Sequence, residues 1–441
     1  MFQHPRHRRD KKIRRTRTSE KVFLAGWEPS YAPERIPLGQ AAEDSLCELR
    51  ELAAGTGARV VGTLLQRSPE PDPSTLVGKG KVSELRSSAR AAAADVVIFD
   101  HDLTPSQLRN LERELDLRVI DRTQLILDIF AGRARSREGQ LQVELAQLTY
   151  LLPRLGGRGT LLSRLGGGIG TRGPGEQQLE YDRRRIRARI RSLRAAIDKV
   201  RSQRALHRAR RRDNQFFTVA LVGYTNAGKS TLFNALTSSS VVTSPRLFAT
   251  LDPTVRALTV ESRRGVLLSD TVGFIQKLPP HLVAAFRATL EELDDASLLL
   301  QVTDASDERH ESQDGAVEAL LETLNVGTTP RLHVWNKIDL VDEHGRKRLP
   351  AGPVEVQVSA RTGEGLDVLL KRIDQSLTGD PVVEAEFEFS PADGGSLALL
   401  HRSGVVLSTQ FDDTRVRVRA RVRESVRDRL KLIEDKEFLN R

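Results

Sequence analysis

The run Gly223-Tyr-Thr-Asn-Ala-Gly228-Lys229-Ser230 constrains what this chain can fold into more than any other segment. Its spacing is G-x-x-x-x-G-K-S. The apolar run Thr218–Val222 precedes it and the helix-forming run Thr231–Leu236 follows, so a strand must feed a helix through this loop. The glycines let backbone N–H groups wrap phosphate oxygens. Lys229 then reaches the β and γ oxygens, and the Ser230 hydroxyl is placed for Mg2+. Tyr224, Thr225, Asn226 and Ala227 fill the variable positions of the same cradle.

Three further segments follow in an order that turns a phosphate loop into a guanine-nucleotide site. Asp270-Thr271-Val272-Gly273 comes after a predicted strand. There a carboxylate can hold the Mg2+ shell, and the Gly273 N–H can touch a γ-phosphate. Asn336-Lys337-Ile338-Asp339 follows the strand-like run Leu332–Trp335. Asp339 can accept from the N1–H and 2-amino donors of guanine. Adenine lacks that pattern, so a buried carboxylate here discriminates strongly. Ser359-Ala360 follows another strand, with backbone N–H groups suited to the guanine O6, and the neighbouring Arg361 belongs to the same set.

The runs Phe217–Val222, Gly265–Ser269, Ser297–Val302, Leu332–Trp335 and Val354–Val358 alternate with helical segments, which predicts a mostly parallel sheet with helices on both faces. Upstream, Val22–Leu24, Val60–Leu65, Val96–Phe99 and Val119–Asp121 read as strands, and Ser45–Ala54 reads as a helix. Thr104 and Pro105 read as the cap and first residue of another. In the last sixty residues Val416, Val418, Ala420 and Val422 alternate with Arg415, Arg417, Arg419, Arg421 and Arg423. That is a strand with one apolar and one basic face, open to two uses: an RNA contact or a solvated edge.

The net charge of +10 is unevenly spread. Residues 1–17 carry +7, and residues 176–212 carry +10, with thirteen Arg and one Lys against four acids. Blocks of this kind suit a polyanion: RNA, DNA or an anionic membrane surface. Leu141, Leu145, Leu148 and Leu152 form one helical stripe. Leu179, Ile186, Ile190, Leu193, Ile197 and Val200 form a heptad seam. Between them residues 156–175 hold nine glycines in twenty, which no helix or strand survives. An antiparallel helical hairpin with a functional loop at its tip is the expectation.

Taken together, the segments resemble the HflX family, ribosome-associated GTPases of the Obg/HflX group. The resemblance rests on Gly167-Gly-Ile-Gly-Thr-Arg-Gly-Pro-Gly-Glu176, Gly223–Ser230, Phe248-Ala249-Thr250-Leu251-Asp252-Pro-Thr254, Asp270-Thr-Val-Gly-Phe-Ile275 and Leu76-Val-Gly-Lys-Gly-Lys-Val82. It implies a cytoplasmic enzyme that hydrolyses GTP to GDP and phosphate with Mg2+, contacts the rRNA of the large ribosomal subunit through residues 156–212, and assists ribosome splitting, recycling or rescue. The alternative is a nucleotide-controlled RNA-binding module with incidental GTP turnover. By motif match, Phe248–Asp252 joins the nucleotide site and Thr250 joins Ser230 on the metal. Lys229, Thr250, Gly273 and Asn226 are the implied catalytic set. Phe274 stands where other such enzymes place a water-orienting glutamine, so catalytic help must come from elsewhere. Asn226 is the candidate, through a bound K+.

The remaining features are quieter. No apolar run reaches the ~18–20 residues that span a bilayer, and no apolar leader opens the chain. The single cysteine, Cys47, fits a reducing compartment and reads as buried packing. Lys79-Gly80-Lys81 reads as a turn into a helix, and His101 and His207 lack partners at metal-ligand spacing. The expected organisation is a multidomain α/β protein, monomeric. It has a basic tail (1–20), an α/β N-terminal domain (21–131), a helical hairpin (132–214), a P-loop GTPase domain (215–378) and a small α+β tail domain (379–441).

Overall fold

A computed structural model describes residues 19–30, 40–155, 174–213, 216–237, 248, 254–261, 265–277, 293, 296–324, 326–327, 329–377, 382–390, 394–411, 415–423, 426–427 and 430. The expected basic tail, apart from residues 19 and 20, and residues 156–173 of the glycine-rich stretch lie outside these. The chain divides into two units, one of residues up to Gly132 with Val143–Leu193, the other of Arg133–Gln142 with the chain from Arg194 onward.

The first unit is built on four parallel strands, β1 (Lys21–Pro29), β2 (Arg59–Ser68), β3 (Val96–Phe99) and β4 (Arg118–Asp121), in the order β2-β1-β3-β4. The helices α1 (Gln40–Gly55), α2 (Lys79–Ala91), α3 (Pro105–Leu115) and α4 (Arg122–Arg133) alternate with them. Local chemistry sets the joints. Thr104 Oγ1 accepts from Gln107 N while the Gln107 side chain accepts from Thr104 N, and Pro105 opens α3. Asp116, at φ +57°, closes it. Lys79 does start α2.

Cys47 is exposed, contrary to the sequence expectation. Its neighbours Leu46, Leu49, Leu52 and Ala53 fill the inward face of α1, and Cys47 falls on the outward one with Glu43 and Arg50. A lone small residue gives no periodicity signal of its own, so composition misplaced it.

Two helices follow, α5 (Arg137–Arg154) and α6 (Pro174–Asp213). Within the first unit, Arg189 on α6 donates two hydrogen bonds to Glu144 on α5, at 2.7 and 2.8 Å. Ile190 and Leu193 of the seam are buried, as are Val143, Ala146 and Tyr150. The leucine stripe of α5 is only half-buried, because the buried face of that helix runs through Val143, Ala146 and Tyr150 instead. The Tyr150 hydroxyl donates to Asp121 Oδ1 at 2.8 Å, Arg154 pairs with Asp121 Oδ2 at 3.2 Å, and the Arg154 guanidinium stacks 3.6 Å from the Tyr150 ring centre. The polar anchor of Tyr150 and Arg154 on Asp121 lies at the end of this buried face, which is on a different side of the helix from the leucine stripe.

The second unit contains a six-stranded sheet: β5 (Phe217–Gly223), β6 (Thr254–Leu258), β7 (Val266–Asp270), β8 (Leu298–Asp304), β9 (Arg331–Asn336) and β10 (Glu355–Gln357). The order is β10-β9-β8-β5-β7-β6, all parallel except β6. β6 was not legible: it is an edge strand with Arg256 and Ala257 exposed, so it lacks the continuous apolar run of a central strand. The helices α7 (Lys229–Thr237), α8 (His310–Thr323), α9 (Glu343–Arg348) and α10 (Leu366–Ser376) accompany the sheet. Apolar clusters lie on both its faces, one with Leu232, Phe233 and Ile373, the other with Phe274, Val317 and Leu321. No described helix is long and apolar enough to cross a membrane.

The same unit holds three antiparallel strands, β11 (Val382–Phe389), β12 (Gly404–Phe411) and β13 (Val416–Arg423), in the order β11-β13-β12, with helix α11 (Gly394–Ser403). The alternating segment is therefore the central strand, not an edge. Its arginines are also not free-standing: Arg415 and Arg417 pair with Glu388, and Arg419 and Arg421 with Glu384.

Candidate guanine-nucleotide site

Every parallel strand of the six-stranded sheet ends on the same side, and that is where the predicted segments lie. β5 ends at Gly223, whose φ of +147° and position leave no room for a side chain: a Cβ would stand 2.2 Å from the Val302 carbonyl oxygen. The loop then runs into α7. Lys229, its first residue, is buried and donates to the carbonyls of Gly223 (3.0 Å) and Tyr224 (2.7 Å). Burial lowers its pKa to about 8, against a smaller upward pull from Asp270. Ser230 Oγ donates to Asp270 Oδ2 at 2.8 Å. A hydroxyl and a carboxylate so placed suit a hard cation with oxygen ligands.

The segment after β7 is fastened against the loop. Thr271 Oγ1 donates to the Leu221 carbonyl (2.6 Å), and Val272 is buried. A Cβ on Gly273 would stand 2.8 Å from Thr225 Cγ2, 2.9 Å from Thr225 Cα and 3.0 Å from Lys229 Nζ, so only glycine fits. Phe274 N donates to the Gly223 carbonyl (3.1 Å), and Thr225 N donates to the Phe274 carbonyl (2.8 Å). The Phe274 side chain packs in the core with Tyr224, Val222 and Val317. Tyr224 also accepts, at its hydroxyl, from Gln276 N (2.9 Å). Asn226 is exposed and left-handed, with φ +65°.

Asn336 ties the base-recognition segments to the phosphate loop. Its Nδ2 donates to the Ala227 carbonyl (2.9 Å) and its Oδ1 accepts from Ala360 N (3.0 Å). Lys337 is left-handed, at φ +64°, and its ammonium lies 2.5 Å from Asp304 Oδ2. Ile338 is buried. Ser359 Oγ donates to Asp339 Oδ1 at 2.7 Å, which leaves Asp339 half-buried with its other oxygen available. Arg361 is exposed.

The structure thus gathers Gly223–Ser230, Asp270–Gly273, Asn336–Asp339 and Ser359–Ala360 at one edge. Phe248 is buried at φ +57°, while Ala249, Thr250, Leu251 and Asp252 lie outside the described residues. Sequence reasoning missed Asp304, which faces Asn336 across β8 and β9. Only the strand register brings it to Lys337, and no local motif marks it.

Three family models match the chain: GTP-binding GTPase N-terminal over residues 43–131, GTP-binding GTPase Middle Region over 133–211, and 50S ribosome-binding GTPase over 218–337. The GTPase HflX of Caldanaerobacter subterraneus subsp. tengcongensis is 47% identical over 391 residues, covering 88% of this chain and 90% of that protein. The GTPase HflX of Escherichia coli is 45% identical over 355 residues, covering 80% and 83%. A GTP-binding protein of Sulfolobus solfataricus solved with GDP is 23% identical, with a TM-score of 0.41 over 81% of this chain and 99% of that one. With sequence identity of this level sustained over most of its length, the chain belongs to the HflX family of GTPases.

Proposed function

We propose that this GTPase is a cytoplasmic switch that binds the large ribosomal subunit in its GTP state and assists the splitting, recycling or rescue of ribosomes. The observation that carries the nucleotide half is Asn336, whose side chain links the phosphate loop to the Ala360 backbone, so that the base-reading and phosphate-reading segments respond as one unit. The ribosomal half is supported by the ribosome-binding description of the model matching residues 218–337 and by the +10 packed into residues 176–212. In this reading residues 156–212 face rRNA.

Gly223–Ser230 cradle the phosphates, Asp339 with Ser359, Ala360 and Arg361 reads guanine, and Phe248–Asp252 belong to the same nucleotide site. Ser230 and Thr250 would hold Mg2+, with Asp270 hydrogen-bonded to Ser230. When bound, the cation would supply charge neutralisation on the phosphates. Asn226, exposed on the loop, is the candidate to hold a K+ that would add to it. Co-sedimentation of the full chain with ribosomes tests the proposal. Binding to the large subunit should be strong with a non-hydrolysable GTP analogue and weak with GDP; equal binding in both states rejects the switch.

The buried Phe274 side chain favours keeping one second reading, an RNA-binding module with incidental turnover, because a phenyl ring cannot orient water by hydrogen bonding. Hydrolysis that ribosomes do not accelerate would favour it.

A further inference from the structure

We propose that Tyr181 on α6 is a stacking platform for an unpaired RNA base, with Arg184, Arg185 and Arg191 taking the phosphates of the same strand. The inference rests on the reading that residues 156–212 face RNA, and deepens it by naming the form of RNA this face selects and the side chain that selects it.

Helix geometry sets the face. Ile190 and Leu193 turn inward and are buried, and at about 100° per residue Tyr181 stands on the side opposite Ile190. Arg184, Arg185, Ala188 and Ser192 fall within about 60° of Tyr181 around the axis, and all four are exposed. Ala188 and Ser192 are short, so they keep this strip of the helix low. Tyr181 itself is 63% exposed. The other tyrosines among the described residues, Tyr150 and Tyr224, are buried and use their hydroxyls in hydrogen bonds. Tyr181 instead leaves a planar apolar ring in water.

The charge around it is uncompensated. Arg189, on the flank, is held by Glu144, and Arg187 lies 3.9 Å from Glu180. Arg184, Arg185 and Arg191 are exposed and pair with no carboxylate among the described residues. The acid between Tyr181 and Ser192 is Asp182, which is half-buried and about 100° around the helix from the ring. The arginines of β13 differ, since Glu384 and Glu388 neutralise them. Free guanidiniums one turn, about 5 Å, from an open aromatic ring suit a single strand, which offers phosphates to the charges and an unstacked base to the ring. A duplex offers the phosphates but keeps its bases stacked on one another.

The test uses the full chain with a short single-stranded RNA carrying 2-aminopurine, and a duplex of the same length. Tyr181→Leu removes the ring and keeps an apolar, helix-forming side chain; Tyr181→Phe keeps the ring. Tyr181→Leu should weaken single-strand binding about tenfold, leave duplex binding within about twofold and abolish the quenching of 2-aminopurine, and Tyr181→Phe should restore affinity and quenching. Single-strand binding by Tyr181→Leu equal to the parent's, or an equal loss on both RNAs, overturns the proposal. The combined variant Arg184→Gln, Arg185→Gln, Arg191→Gln tests the reading beneath it. It should weaken both RNAs and flatten the salt dependence. Unchanged binding there would reject RNA as the partner of this face, and the proposal with it.

Discussion

Two side chains show how differently charge is used in the two units. Asp339 is half-buried, with one oxygen held by Ser359 and the other available to a ligand. Asp339→Asn exchanges an acceptor for a donor. GTP binding should fall sharply and preference should move toward xanthosine nucleotides, whose 2-oxo group needs a donor; competition between GTP and XTP measures it, and an unchanged preference would remove Asp339 from base recognition. Arg122 is the opposite case. It is fully buried, pairs with Glu48 and lies 2.6 Å from Asp100, which also accepts from Ser45. Its charge is held there by the two carboxylates against the cost of burial. Arg122→Met strands both, and should cost about 3–5 kcal/mol, read as a fall in the unfolding midpoint of the first unit. A loss below about 1 kcal/mol would show that the site relaxes and admits water.

Elements of the nucleotide-facing sheet are held at their ends by similar local devices. Helix α8 begins after Arg309, which offers no side-chain cap, and Asp307 acts from just outside. It accepts from Arg309 N, Nε and Nη2 and from Gln313 Nε2, each at 2.9 Å. Burial pushes this carboxyl up, the donors outweigh it, and the pKa falls to about 2. Because the folded value lies below the unfolded one, the contribution is present above about pH 4 and is lost as pH falls toward 2. Partial solvent access limits it to about 1 kcal/mol. Acid unfolding followed by circular dichroism should be steeper between pH 4 and 2 in the parent than in Asp307→Asn. Parallel curves would show that the pair is only a surface contact.

For the whole molecule, the division of labour predicts separable losses. The nucleotide edge is assembled between Gly223 and Ala360, within the second unit. The glycine-rich stretch 156–175 carries Leu161, Leu162, Arg164 and Leu165, which a plain Gly/Ser linker would more often omit. Replacing it with a short helix–helix turn should leave GTP affinity unchanged and reduce ribosome-stimulated hydrolysis substantially. Stimulation equal to the parent would make the segment a spacer.

The phosphate loop and the Asn336–Asp339 segment were legible because their geometry is written in consecutive residues: glycines where backbone must approach a ligand, and a carboxylate one short turn beyond a strand. The alternation Val416–Val422 gave its strand for the same reason, since a period of two survives any tertiary setting. What the sequence could not carry were facts that depend on distant partners. The exposure of Cys47, the turn of α5 onto Tyr150, the ion pair of Lys337 with Asp304 and the burial of Phe274 each follow from which element lies opposite. Local periodicity fixes an element's type. Only packing, which sums weak contacts over residues far apart in the chain, decides which face is buried.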